Sequence, residues 1–137
     1  MTTAVQTWQV GDRLAPLTVG PIDRTTLALF AGGSGDHNAI HLDIDVARAA
    51  GMDDVFAQGM LSMAYLGRLL TDTFPQAQIR RFTTRFAAIT PVGADPTCTG
   101  EVVALERDVL TLDLRVELPD GTVTLAGTAE ISLEGTS

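Results

Sequence analysis

The stretch Gly32-Gly33-Ser34-Gly35-Asp36-His37-Asn38-Ala39-Ile40-His41 gathers an acid, an amide, three glycines and both histidines of the chain. A carboxylate beside an imidazole orients and tunes a general base, so Asp36 and His41 are the pair with which this chain could move a proton. They stand five residues apart, which on a regular helix would set them about 140° apart. They converge only if a helix ends here and Asp36 to Ala39 form a turn, for which Asp and Asn are suited. The same residues also serve structure alone: Asp36 as a turn residue or helix cap, Asn38 as a turn residue, His41 as a partly buried side chain with a satisfied hydrogen bond. Spacing by itself leaves both readings open, and His37 reads as a surface residue.

The elements that must hold this stretch are most legible in the second half. Residues 109 to 118 put Leu110, Leu112, Leu114, Val116 and Leu118 on one face and Thr111, Asp113, Arg115 and Glu117 on the other, the period of a one-sided strand. Pro119-Asp120-Gly121 supplies a tight hairpin. Beyond it Val123, Leu125, Gly127, Ala129, Ile131 and Leu133 alternate with Thr124, Ala126, Thr128, Glu130 and Ser132 as another strand. Residues 97 to 106 and 79 to 88 also read as strands, the latter with Phe82, Phe86 and Ala88 opposite Arg81, Thr83 and Arg85. Four consecutive strands imply an antiparallel sheet. Its inner face needs an apolar partner, and residues 59 to 74 are apolar round most of a helix, as in a buried helix that stops at Pro75. Shorter helices are expected at about 23 to 31, capped by Asp23 or Thr25, and about 43 to 50, capped by Asp43 and stopped at Gly51. The expected class is α+β, a sheet wrapped round one central helix.

A length of 137 residues with 45% hydrophobic content suits one domain with one core. Nine basic against seventeen acidic residues give a net charge of −8, which repels a phosphate backbone and disfavours nucleic-acid binding. The lone Cys98 excludes an intramolecular disulfide, and two histidines without a cysteine cluster supply no zinc framework. The N-terminus lacks a basic start and apolar run, and nowhere do 18 apolar residues follow one another, so a cytoplasmic protein without a membrane span is expected.

Ser34 to His41 resembles the Asp-x-Asn-x-x-His signature of MaoC-like (R)-specific enoyl-CoA hydratases. Phe30 before it, Ala57-Gln58-Gly59-Met60-Leu61-Ser62 after it, and Arg85-Phe86 followed by Pro91-Val92 resemble further landmarks of that family in the same order. The likeness spans nearly the whole chain and implies the hot-dog fold, a curved antiparallel sheet around a long helix. It also implies that Asp36 and His41 activate water, that Asn38 shapes their turn and that the Gly59 N–H receives the thioester oxygen. A helix beginning at Gly59 would favour negative charge there, although a glycine at that place also permits close packing. Two positions depart from the family pattern: Ala39 stands where proline is common and Gln58 where histidine is common, and neither supplies the acid, the base or the oxyanion donor.

Gly59, Met60, Asn38 and Arg85 are the expected substrate contacts. Arg80, Arg81 and Arg85 could meet the phosphates of coenzyme A or an acyl carrier protein across a subunit boundary, yet alternation puts Arg81 and Arg85 on the face away from Phe82 and Phe86, where solvent or an ion pair suits them as well. Met60, Met63, Tyr65, Leu66 and Leu69 could line an acyl tunnel or simply fill a core. Cys98 reads as a small core residue. The implied reaction adds water to a trans-2-enoyl thioester to give a (R)-3-hydroxyacyl thioester, or reverses that step, without a metal or redox cofactor. The rivals are thioester hydrolysis and a subunit of a heteromeric hydratase, including a non-catalytic one. A homodimer, or a heterodimer with another hot-dog chain, is expected.

Overall fold

Leu110, Leu112, Leu114 and Val116 have no solvent exposure while Arg115 between them is exposed, so the alternation read in the sequence becomes a sheet with one dry face. The computed structural model describes residues 7–134. Residues 1–6, which carry most of the N-terminal leader reading, lie outside them. A two-residue strand β1 (Leu17–Thr18) precedes α1 (Arg24–Ser34), α2 (Ile44–Ala49) and α3 (Gly59–Thr73). Then come β2 (Ile79–Phe86), β3 (Thr97–Glu106), β4 (Val109–Glu117) and β5 (Val123–Ser132). The strands pair antiparallel in the order β1-β3-β4-β5-β2, so β2 is an edge strand.

The sheet's inner residues, Cys98 and Val102 of β3, the four of β4, and Leu125, Ala129 and Ile131 of β5, pack with Leu66, Leu69 and Leu70 of α3. Each such leucine contributes about 1.5–3 kcal/mol when fully buried, which makes the sheet and helix one unit. Trp8 and Phe74 close one end with ring centroids 5.2 Å apart. A second apolar cluster, Ile22, Leu27, Ala47, Val55, Ala57 and Leu61, joins α1 and α2 to the start of α3. This second cluster places the loops between the helices.

Several expectations are corrected in detail. Helix α1 runs on to Ser34, with Asp23 and not Thr25 as its cap, since the Asp23 carboxylate accepts from Thr26 N. Strand β2 ends at Phe86, leaving Ala87 and Ala88 outside it. Thr124 and Ser132 face inward despite being polar, and the Thr124 hydroxyl is satisfied by donating to the Val116 carbonyl at 3.3 Å. Helix α3 is not buried all round: Met60 is 54% exposed and Ala64 is exposed too. The sheet and the α1–α2 layer cover two faces of α3, and an apolar third face remains at the surface.

Candidate active site

Helix α1 ends at Ser34 because Gly35 adopts φ 80°, a left-handed conformation that costs glycine nothing, and its N–H closes back on the Ala31 carbonyl. The chain then turns through short side-chain bonds. Ser34 Oγ donates to the Phe30 carbonyl and accepts from Asp36 N, Asp36 Oδ1 accepts from Asn38 N at 3.3 Å, and Asn38 Oδ1 accepts from Ile40 N at 3.2 Å. Asn38 thereby caps a single 3₁₀ turn, Ala39–His41. The turn required by the five-residue spacing is present, and it brings His41 Nε2 to 3.8 Å from Asp36 Oδ2.

His41 is buried, with 9% exposure, and its Nδ1 lies 2.7 Å from the Phe56 carbonyl. A carbonyl can only accept, so Nδ1 carries the proton and Nε2 of the neutral ring keeps its lone pair towards Asp36. The Phe56 ring also packs edge-on against the imidazole, centroids 5.0 Å apart. Nε2 and an ionised Asp36 are then two acceptors, which cannot bond each other. A water molecule can donate one O–H to each, and that is the arrangement a general base requires.

The Phe56 segment runs directly into α3 and is pinned by Ala57 N donating to the Thr90 carbonyl at 2.9 Å. Helix α3 starts at Gly59 with no side-chain cap, unlike α1 and α2, which Asp23 and Asp43 cap. The N–H groups of Gly59 and Met60 meet no acceptor among the described residues, while Leu61 N donates to the Gln58 carbonyl at 3.0 Å, and the dipole of a 15-residue helix favours negative charge there. Gly59 is also closely covered: a Cβ built on it would lie 2.9 Å from Phe86 Cε1. Both readings of Gly59 therefore have a physical basis.

Two hollows flank this helix start. Gly59, Ser62, Phe56 and Phe86 line one of about 320 Å³. Phe30, Ser34, Met60, Met63, Gly67 and Phe82 line an apolar groove of about 470 Å³, which reaches Ser34, two residues from Asp36. Asp36, His41, Gly59 and Met60 are thus grouped around the 56–60 segment and the end of α1. Asn38 is spent on its turn, and His37 is exposed. Arg85 is not brought to this site within the chain: it lies on the outer sheet face with Thr83, Asp113 and Thr128. Cys98 is fully buried, and burial pushes its thiol up to about 11. No group of three or more His, Cys, Asp or Glu side chains among the described residues could hold a metal ion. Reasoning from residue types missed Phe56, whose contribution is a backbone oxygen, and the ring of Phe86 over Gly59.

The MaoC like domain model matches residues 7–117. The chain belongs to the MaoC-like domain family. A MaoC-like chain of this kind is 28% identical over 130 residues to 3-hydroxyacyl-thioester dehydratase Z of Mycobacterium tuberculosis, covering 87% of this chain and 80% of that one. Among solved structures it is similar to an (R)-hydratase from A. caviae involved in PHA biosynthesis, with a TM-score of 0.84, 27% identity, and coverage of 94% of this chain and 99% of that one. It is also similar to a chain of the ChsH1-ChsH2 complex from Mycobacterium tuberculosis, with a TM-score of 0.83, 26% identity, and coverage of 93% and 100%. The curled antiparallel sheet around α3 is the hot-dog fold of these MaoC-like neighbours.

Proposed function

We propose that this chain hydrates trans-2-enoyl thioesters to (R)-3-hydroxyacyl thioesters, and dehydrates them in reverse, with Asp36 and His41 as the catalytic pair. The observation that carries the reading is the Nδ1–Phe56 bond, which puts the proton of the neutral His41 ring on Nδ1 and turns Nε2 towards the Asp36 carboxylate, 3.8 Å away. The (R)-hydratase and 3-hydroxyacyl-thioester dehydratase relatives support the reaction class and its stereochemistry.

In hydration, water held between Nε2 and Asp36 gives a proton to the pair while its oxygen bonds C3. The C2–C3 π electrons move towards C1, and enolate charge builds on the thioester oxygen at the Gly59 N–H. A proton then passes from the pair to C2, so one water is consumed and the thioester stays intact. The acyl chain lies along the Met60–Gly67 groove. These steps use acid–base chemistry alone and require no redox change at the substrate.

The carrier is coenzyme A or an acyl carrier protein, and the proposal places the protein in the cytoplasm. No helix among the described residues is long and apolar enough to cross a membrane. Strand β2 is an edge strand ending in a half-exposed Phe86, which suits pairing with a second hot-dog subunit, and the ChsH1-ChsH2 neighbour supports a heteromeric version of that pairing. In such an arrangement Arg85 would serve a carrier bound where subunits meet.

The test is the loss of enoyl absorbance with the thioester retained. Asp36→Asn and His41→Ala are each expected to fold and to lose two or more orders of magnitude in turnover. The double variant should be little worse than the worse single one, since the two groups act as a unit. Wild-type rates in either single variant would overturn the assignment, and release of free thiol by the wild type would establish hydrolysis instead.

A further inference from the structure

Gln58 is 1% exposed, yet nothing in the reaction above uses it. Its Nε2 donates to the Leu27 carbonyl at 3.1 Å, and its Oε1 is buried without a hydrogen-bond partner among the described residues. The opposite amide orientation would set two carbonyl oxygens against each other, so the bond to Leu27 determines which way the side chain lies. Leu27 sits inside α1, whose own i→i+4 ladder already uses its carbonyl, and Gln58 engages the second lone pair. An apolar side chain of similar size would fill this site without desolvating an amide. The amide is therefore best explained by the direction it imposes.

The two stretches that it joins carry the chemistry. Helix α1 leads through Gly35 to Asp36, while the segment containing Gln58 holds His41 through Phe56 and opens α3 at Gly59. Around the bond, Leu27, Ala57, Val55 and Leu61 pack as an apolar cluster, whose attraction is non-directional and does not by itself select a register. The other side-chain polar link between these stretches among the described residues, Arg24 to Asp54 at 2.6 Å, is at the surface and screened by solvent. We propose that Gln58 is a positioning residue: its buried bond to Leu27 sets the register between the helix leading to Asp36 and the segment that holds His41 and Gly59. This rests on the hydratase reading for its kinetic consequence and on geometry alone for its effect on His41.

The test is Gln58→Met, which keeps the volume, removes the bond and strands no protein donor. Turnover and KM are measured on an enoyl thioester, and the His41 ring nitrogens are followed by ¹⁵N NMR. The expected result is a melting temperature near wild type, kcat lower by about tenfold or more because small misplacements of reacting groups are costly, and KM within about threefold. The His41 spectrum should change from one Nδ1–H tautomer to a mixture. Unchanged kcat and an unchanged His41 spectrum, or a kcat loss that merely follows the folded fraction, would overturn the proposal. If Gln58→Met does not fold, Gln58→Leu is measured the same way, and failure of both to fold assigns Gln58 to stability and overturns it as well. Full activity in Asp36→Asn alongside an altered His41 spectrum in Gln58→Met would remove the hydratase reading and leave the positioning role standing. Loss of activity in Asp36→Asn with a wild-type-like Gln58→Met would do the reverse.

Discussion

Replacing Gly59 with proline deletes the N–H proposed to meet the thioester oxygen, and the structure indicates that the chain can accept the change. Gln58 sits at φ −59° and ψ 134°, the extended region that a residue before proline needs, and Gly59 is the first helical residue, where proline is tolerated. Proline also brings a Cβ, however, and at Gly59 that atom would meet Phe86 Cε1 at 2.9 Å and Cδ1 at 3.0 Å. Alanine carries the same clash while keeping the N–H. Phe86 is 52% exposed, so its ring can swing aside. An off-rotamer ring costs about 0.5–1.5 kcal/mol, which bounds the alanine loss at roughly tenfold. One lost oxyanion donor costs about 10²–10³ in kcat. The informative comparison is therefore made in a Phe86→Ala background, where the clash is gone. There Gly59→Ala should hydrate crotonyl-CoA at nearly the rate of its parent, and Gly59→Pro should still lose about 10²–10³, both followed by enoyl absorbance at matched folded fraction. Equal losses for the two variants in that background would refute the oxyanion role and assign Gly59 to packing.

The remaining expectations concern the groove, the buried thiol and the subunit edge. Gly67 lies in α3 on the apolar groove, and its Cβ would make an ordinary 3.5 Å contact with Phe82, so Gly67→Ala should fit. It should raise stability in denaturant titration by up to about 1 kcal/mol through helix propensity, and lower kcat/KM for long enoyl chains relative to crotonyl-CoA; a preserved chain-length profile would remove the groove from the acyl path. Cys98 should resist thiol reagents at pH 8 until the protein unfolds, since burial holds the thiol at about 11 against an ordinary 9. The folded-state value is the raised one, so the unfolded chain loses its proton first: stability is fully present below pH 9, falls between about 9 and 11, and does so less in Cys98→Ala, as melting curves against pH would show. Light scattering should find at least a dimer in solution, alone or with a hot-dog partner, and a fully active monomer would contradict the subunit pairing.

Much of the sheet was legible because period-two alternation directly reports a strand with one dry face, as Leu110 to Val116 do. The helix stops at Gly51 and Pro75 and the caps at Asp23 and Asp43 are likewise local effects of φ, a missing donor or a side-chain acceptor, so near neighbours in sequence suffice to place them. The pairing of Asp36 with His41 was legible as a possibility, since the required turn is built from adjacent side chains. What remained hidden depends on contacts distant in sequence. The apolar circumference of α3 did not reveal that its Met60–Ala64 face stays uncovered, because coverage depends on how far the sheet curls. The proton on His41 is set by a carbonyl fifteen residues away, the amide of Gln58 by one thirty-one residues away, and the space over Gly59 by an aromatic ring on β2. Backbone oxygens are common to every residue type, so only the tertiary structure, which selects one carbonyl among many, could decide these three.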